Sequence, residues 1–258
     1  MIRKAWNSML LALGVATFTA VCFAWALVSS ILWPLLPRTA GRRVGRLGAM
    51  MGFRLFLWVM ELAGALRLDL RALDGLRKEG ALIVAPNHPG LLDAVLMVSR
   101  MPDAVCVMKS SLLRHFLLAP AARLARYVPN GSLLRLVTQA HEELKAGGQL
   151  LLFPEGTRTT GGTLGSLTEA VGAISKRTRV PVQTVIIEAS APFLGKTGAT
   201  WTAPSFPMTY RARLGRRFDP PRDVRAFTEE LDRHFRRELA AGLPREVDGV
   251  AAPAVEDA

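Results

Sequence analysis

A histidine and an aspartate lie five positions apart in the segment Asn-His-Pro-Gly-Leu-Leu-Asp at residues 87–93. The apolar run at residues 81–85 predicts a buried strand before it, and the Pro-Gly pair predicts a turn. This order can place His88 in a loop and Asp93 in the first turn of the next helix. A carboxylate so placed keeps one imidazole nitrogen protonated and leaves the other as a base. The pair therefore indicates proton transfer from a substrate.

A second polar segment, Phe-Pro-Glu-Gly-Thr-Arg at residues 153–158, also follows an apolar strand. Ligands of open α/β sheets bind beyond the carboxyl ends of strands, so we expect both segments to line one site. Gly156 allows close backbone approach to a ligand, and Arg158 offers a guanidinium fork suited to phosphate. Glu155 can hydrogen-bond a substrate hydroxyl or hold Arg158 in place.

Together these motifs resemble those of the glycerolipid acyltransferases, the lysophosphatidic acid acyltransferase family. The family's Asn-His-x4-Asp motif is met at residues 87–93, and its Phe-Pro-Glu-Gly-Thr-Arg motif is met at residues 153–158. A further motif, an apolar stretch around a proline, is approximated at residues 180–185. The resemblance extends over residues 66–210.

The resemblance implies an O-acyltransferase in which His88 is the general base and Asp93 orients its imidazole. It implies acyl-CoA or acyl carrier protein as the donor, and a lysophospholipid hydroxyl of the 1-acylglycerol-3-phosphate type as the acceptor. No metal or other cofactor is expected. The acceptor-binding residues implied are Glu155, Gly156, Thr157 and Arg158, with Asn87 and Gly90 in support.

Direct attack by the acceptor hydroxyl on a thioester needs no serine or cysteine nucleophile. The departing thiolate can recover the proton from His88. Backbone N–H groups can stabilise the oxyanion, either in the Pro89-Gly90 turn or in the loop after Pro154. The sequence leaves these two alternatives open.

Three segments depart from the family pattern. Residues 125–130 lack an arginine at its usual place, for which Arg126 or Arg135 could substitute, and residues 161–167 lack a lysine. Thr184 stands where a second proline is common. The departures weaken lysophosphatidic acid as the specific acceptor. A lyso-ornithine lipid, a glycolipid or a polyene pigment remains an alternative.

Alternating strands and helices position these loops and predict an α/β fold with a mixed, mostly parallel sheet flanked by helices. An N-terminal membrane helix or helical hairpin should precede the sheet. We expect an anchoring segment at residues 1–64, a catalytic domain at residues 65–243 and a disordered tail at residues 244–258. The expected strands are residues 66–71, 81–85, 104–108, 149–153, 182–188 and 208–214, and the expected helices are residues 91–100, 112–126, 133–145, 166–177 and 224–241.

Residues 8–36 contain no charged side chain. About 20 apolar residues cross a bilayer core as a helix, so this segment predicts a transmembrane helix that ends at Pro34 or Pro37. The apolar segment at residues 47–66 predicts either an amphipathic membrane helix or a core helix. Basic residues on the far side outnumber Arg3 and Lys4, which favours the inner membrane with the catalytic domain in the cytoplasm. That basic cluster consists of Arg38, Arg42, Arg43 and Arg46.

The composition favours an anionic partner, because the formal net charge is +12, and the apolar N-terminus favours a membrane over nucleic acid. Only two cysteines are present, which argues against a disulfide scaffold. Two other functions remain open: a non-catalytic membrane-anchored binder of anionic lipid, and a lipid hydrolase that uses water as the acceptor.

Overall fold

A computed structural model describes residues 2–156, 164–190 and 205–241. The predicted tail at residues 244–258 lies outside this part of the chain. The helices in the described part are α1 (Ile2–Leu35), α2 (Arg38–Leu62), α3 (Asp93–Val98), α4 (Ala119–Ala125), α5 (Leu133–Lys145), α6 (Ala170–Thr178) and α7 (Val224–Ala240). The strands are β1 (Leu66–Asp69), β2 (Leu82–Pro86), β3 (Ala104–Lys109), β4 (Val128–Asn130), β5 (Gln149–Leu151), β6 (Val182–Ala189) and β7 (Met208–Phe218).

The strands form one mixed sheet in the order β1-β7-β6-β2-β5-β3-β4. Every pair is parallel except β6 with β7. Parallel strands covered on both faces need apolar side chains throughout, and all five residues of β2 are buried. One apolar cluster packs α2 and α3 on one face, and a second packs α5, α6 and α7 on the other. The predicted fold class is confirmed.

The predicted bounds of two helices were wrong. Residues 112–126 divide into a 3-10 turn (Leu112–Arg114) and α4, which begins beside Pro120. Proline is accepted in the first turn of a helix but not in its interior, so one long helix could not form. The helix expected at residues 166–177 begins only at Ala170.

Two elements were missed. Residues 129–131, interpreted as a break between helices, contain part of the short edge strand β4. A 3-10 helix (Arg71–Lys78) follows β1 and packs Leu73 and Leu76 into the core. Both segments are too short for periodicity to reveal them.

The two N-terminal helices form a hairpin that packs on the sheet domain. A Cβ atom at Gly45 would lie 2.5 Å from the backbone N of Ala125, and one at Gly48 would lie 2.0 Å from the Trp25 ring. Gly45 therefore lets α2 approach the backbone of α4, and Gly48 makes room for the indole of Trp25 on α1. Phe56 of α2 is buried in the same apolar cluster as β1.

The first helix is long and apolar enough to cross a bilayer, and only 11% of its most apolar window is buried within the protein. Its exposed large side chains include Trp6, Phe23, Ile31 and Trp33. The second helix begins at Arg38, earlier than the apolar segment at residues 47–66 had indicated.

Arg46 is buried and joins the hairpin to the sheet domain. Its guanidinium donates to the carboxylates of Glu143 and Asp103, the latter at 3.1 Å, and to the carbonyl of Ala125 at 3.2 Å. Arg126 donates to the other oxygen of Glu143 at 2.6 Å. Counting Arg46 with the basic flank of the membrane segment was wrong, because its charge is neutralised inside the protein.

We predict that Arg46→Ala lowers the free energy of unfolding by about 3–5 kcal/mol, because it leaves the Glu143 carboxylate buried beside fewer cations. Arg43→Ala removes an exposed arginine from the same helix and should change it by less than about 0.5 kcal/mol. Denaturant unfolding in detergent measures both. Equal losses from the two variants would contradict this role for Arg46.

Candidate active site

Asn87 anchors the loop that follows β2. Its side-chain amide donates to the carbonyl of Ile187 at 2.9 Å and its side-chain oxygen accepts from the N–H of Ile187 at 2.7 Å. The strand pairing of β2 with β6 ends at Pro86 and Val185. Through its side chain, Asn87 continues this pairing one residue further. The next residue, His88, is thereby held at the carboxyl edge of the sheet.

His88 and Asp93 meet as the spacing predicted. The distance from His88 Nδ1 to Asp93 Oδ2 is 2.8 Å, and the N–H of Gly90 donates to the same oxygen at 2.7 Å. With Asp93 ionised, Nδ1 carries the proton and Nε2 is left as the basic nitrogen. Nε2 has no hydrogen-bond partner within the described residues. The imidazole is therefore oriented, and its second nitrogen is available to a substrate.

The carboxylate of Asp93 is fully buried. Burial raises the pKa of Asp93 above its usual range, while the His88 imidazole and the Gly90 N–H oppose this by stabilising the charged form. Oδ1 is buried without a hydrogen-bond partner in the described part of the chain. An ionised Asp93 therefore reduces the stability of the fold, a feature typical of catalytic groups.

Phe153 forms the floor under the imidazole. The two rings stack with their centroids 4.0 Å apart and their planes 22° apart. Phe153 stands in the second motif, but its stacking on His88 follows only from the fold. The contact limits the imidazole to one plane, so that Nε2 faces a fixed direction.

Glu155 brings the second loop to the first. It is buried, and one carboxylate oxygen accepts from the backbone N–H of His88 at 2.9 Å. The other accepts from the N–H of Gly165 at 3.0 Å. The structure therefore brings Asn87, His88, Asp93 and Glu155 together at the adjoining ends of β2 and β5.

Gly156 has φ +64°, a conformation that favours glycine, and its N–H donates to the carbonyl of Phe153 at 3.0 Å. Thr157 and Arg158, the other two expected acceptor-binding residues, lie outside the described residues. Beyond them in the sequence, Thr168 donates to the carbonyl of Pro154 through both its N–H, at 2.8 Å, and its hydroxyl, at 3.0 Å. The loop is thus closed at its base.

Two of the backbone N–H groups expected as oxyanion donors, those of Gly90 and Gly156, are already committed. Pro89 has no N–H, and the N–H of Gly90 is bound to Asp93. The N–H of Gly156 is bound to Phe153. The N–H groups of Leu91 and Leu92 have no acceptor within the described residues. The turn before α3 therefore keeps two donors, one and two positions later than expected.

The segment that holds these residues matches a protein-family model described as Acyltransferase over residues 67–188. The match runs from β1 to the end of β6 and includes every described residue of the site. Over this segment the chain is similar to acyltransferases.

Two curated relatives of this chain are named 1-acyl-sn-glycerol-3-phosphate acyltransferases. The protein from Pseudomonas aeruginosa is 26% identical over 171 residues, covering 64% of this chain and 65% of the relative. The protein from Cocos nucifera is 25% identical over 181 residues, covering 65% of this chain and 57% of the relative. The chain thus spans less than two thirds of the length of each relative.

The same fold is present in the crystal structure of the 1-acyl-sn-glycerophosphate acyltransferase PlsC from Thermotoga maritima. That structure superposes with a TM-score of 0.68 at 21% identity, covering 94% of this chain and 98% of the other. The likeness includes the N-terminal hairpin as well as the sheet domain, because the coverage leaves little of either chain out.

The structure shows the surroundings of two departures from the family pattern. The hydroxyl of Thr184 donates to the carbonyl of Arg216 at 2.8 Å and lies 3.0 Å from Nε2 of His234 on α7. Thr184 therefore stabilises the junction of β6, β7 and α7. The ring of His234 is half-buried at this junction. Asn130, at the usual arginine position, is exposed, and Arg126 is paired with Glu143.

We predict that Asp93→Asn lowers kcat/KM at least about 100-fold, because a neutral amide stabilises the imidazolium less than a carboxylate does. The variant should fold, since the amide oxygen can accept from both His88 and Gly90. Its NH₂ group would take the position of the unpartnered Oδ1.

The same pair of proteins gives a pH test. The pKa of Asp93 is raised in the folded protein above the ordinary value for aspartate, about 3.9. Wild-type stability should therefore fall as the pH rises from about 3.9 to the pKa of Asp93 in the folded protein. The Asp93→Asn variant has no carboxylate to titrate at this position. Its Tm minus the wild-type Tm should therefore increase as the pH rises across this range. A Tm difference that does not change with pH would contradict the burial effect.

Proposed function

We propose that the protein transfers a fatty acyl chain from acyl-CoA or acyl carrier protein to the hydroxyl of a lysophospholipid of the 1-acylglycerol-3-phosphate type. The observation that carries the proposal is the imidazole of His88, held by a buried carboxylate with Nε2 uncommitted, within an acyltransferase-family domain. The names of the curated relatives support the acceptor class.

In the proposed reaction, Nε2 of His88 removes the hydroxyl proton as the oxygen attacks the thioester carbonyl carbon. The carbon–oxygen bond forms and a tetrahedral oxyanion develops, which the N–H groups of Leu91 and Leu92 would stabilise. Collapse breaks the carbon–sulfur bond and releases the thiolate. The thiolate takes the proton from the imidazolium, so His88 returns to its starting state. Asp93 stabilises the imidazolium between these steps.

Glu155 supports the proposal as a positioning residue, because it holds the backbone N–H of His88. In the proposed complex, Gly156 lets the acceptor approach the backbone, and Thr157 and Arg158 bind its polar end. A guanidinium suits phosphate because its planar donors match two oxygens. This part of the loop stays a prediction.

The proposed location is the inner membrane, with the sheet domain in the cytoplasm. The length and apolar composition of α1 support membrane association. After the removal of Arg46 from the basic flank, Arg38, Arg42 and Arg43 still outnumber Arg3 and Lys4. Residues 1–64 would anchor the protein, and residues 65–243 would form the catalytic domain.

An acceptor screen tests the substrate class. The full chain in detergent or vesicles is supplied with radiolabelled acyl-CoA or acyl carrier protein and a panel of acceptors: 1-acylglycerol-3-phosphate, a lyso-ornithine lipid and a glycolipid. Transfer to the first at the highest kcat/KM is the expected result. Release of free fatty acid without any acceptor would instead indicate hydrolysis, and label found in neither product would indicate a non-catalytic binder.

We predict that His88→Ala lowers the rate of acyl transfer by about 10²–10⁴-fold, because it removes the proposed general base. His115→Ala is the matched control, since His115 is exposed and distant in sequence from the motifs, and its activity should stay within about twofold of wild type. Single-turnover transfer of radiolabel measures both. Full activity of the His88 variant would exclude the mechanism.

A further inference from the structure

A cleft of about 780 Å³ opens at the β4 edge of the sheet, between α4 and α5. Trp33, near the end of α1, forms one wall, and Pro129 of β4 forms another. None of the motif residues lines it. Its volume lies in the range of pockets that bind nucleotide-sized ligands. The cleft is therefore a separate feature that the proposed mechanism does not use.

The cleft has cationic donors that the protein itself does not use. Arg126 is paired with Glu143, and this pair belongs to the network around Arg46. Arg123 and Arg135, by contrast, are exposed and have no ion-pair partner within the described residues. Two guanidinium groups facing one cleft favour a ligand with more than one phosphate group, since each can bind two phosphate oxygens.

The cleft lies within reach of His88. In the strand order β2-β5-β3-β4, three interstrand spacings separate β2, which leads to His88, from β4, which borders the cleft. At the usual distance between neighbouring strands this separation is about 14 Å. The paired positions across these strands place Pro129 level with Pro86, two residues before His88. A pantetheine arm has about as many chain atoms as four residues and spans about 14 Å when extended.

We infer that this cleft binds the 3′-phospho-ADP end of acyl-CoA, with the pantetheine arm crossing the carboxyl edge of the sheet to place the thioester at His88. Arg123 and Arg135 bind the phosphates, and the indole of Trp33 offers a flat surface for the adenine ring. The inference rests on the proposed acyl transfer and selects CoA over a carrier protein as donor. A carrier protein presents no adenine nucleotide, so the indole of Trp33 beside the unpaired guanidinium groups of Arg123 and Arg135 favours CoA. A lipid head group would leave most of the volume unfilled.

The test compares the full-length wild type with Arg123→Gln, Arg135→Gln and the double variant. Arg177→Gln is the matched control, an exposed arginine on α6 outside the cleft. Donors are palmitoyl-CoA, its 3′-dephospho analogue and palmitoyl-acyl carrier protein. Each single variant should raise KM for palmitoyl-CoA about 10-fold and the double variant about 100-fold, with kcat unchanged, since each lost charged hydrogen bond weakens binding by about 10-fold. The KM for the acceptor should not move.

The 3′-phosphate supplies the decisive comparison. The wild type should have a higher kcat/KM for palmitoyl-CoA than for the dephospho analogue. The ratio of these two values should fall toward one in the double variant. 3′,5′-Adenosine bisphosphate should bind the wild type and the Arg177 variant but not the double variant, as measured by calorimetry.

Three results would overturn the inference: an unchanged KM for palmitoyl-CoA, a loss confined to the carrier-protein donor, or weaker binding to phosphatidylglycerol vesicles with normal CoA kinetics. The last two would assign the arginines to a carrier protein or to a lipid surface. If the wild type transferred acyl groups from no thioester but still bound the bisphosphate through these arginines, the nucleotide site would stand and acyl transfer would fail.

Discussion

The parallel pairing of β2 with β5 on one side and β6 on the other is the constraint on which the site depends. Parallel strands end at the same edge, so the loops after β2 and β5 must meet there. Asn87 carries this pairing one step further, by binding both backbone groups of Ile187. Glu155 then joins the two loops through the N–H of His88. The imidazole is thus positioned by backbone-directed bonds rather than by side-chain packing alone.

A buried carboxylate serves this site at the expense of stability. Asp93 is fully buried, and one of its oxygens has no hydrogen-bond partner in the described part of the chain. A neutral side chain of the same shape would suit the fold better. The charge is useful only when an imidazolium forms beside it, which is the state that a general base passes through. An unfavourable buried charge of this kind is expected at active sites, where the groups needed for function reduce the stability of the fold.

Arg46 links the apolar hairpin to the sheet domain. It binds residues from the loop before β3, from the end of α4 and from α5. The hairpin therefore has a defined orientation relative to the carboxyl edge of the sheet, and an anchored hairpin would hold the site at a set distance from the membrane. The same network neutralises Glu143, which borders the β4 cleft. The N-terminal hairpin and the cleft are in this way joined through one ion-pair network.

Much of the organisation could be predicted from the sequence, because local periodicity encodes it. The α/β class, the apolar first helix, α5 at Leu133–Lys145 and the meeting of His88 with Asp93 are all local features or depend on a five-residue spacing. Helix α4 and strand β4 were misjudged, because a proline and a three-residue strand leave little periodic signal.

The sequence by itself predicted the pairing of His88 with Asp93, the two loops at the strand ends and the similarity to acyltransferases. Only the tertiary structure decided what each side chain binds at long range. Glu155 meets His88 across 67 positions, Arg46 meets Glu143 across 97 and Asn87 meets Ile187 across 100. These contacts follow from strand order and from the crossing of α2 over the sheet, which composition and spacing do not encode. For that reason Arg46 looked like part of a membrane flank in the sequence and is a buried ion-pair residue in the fold.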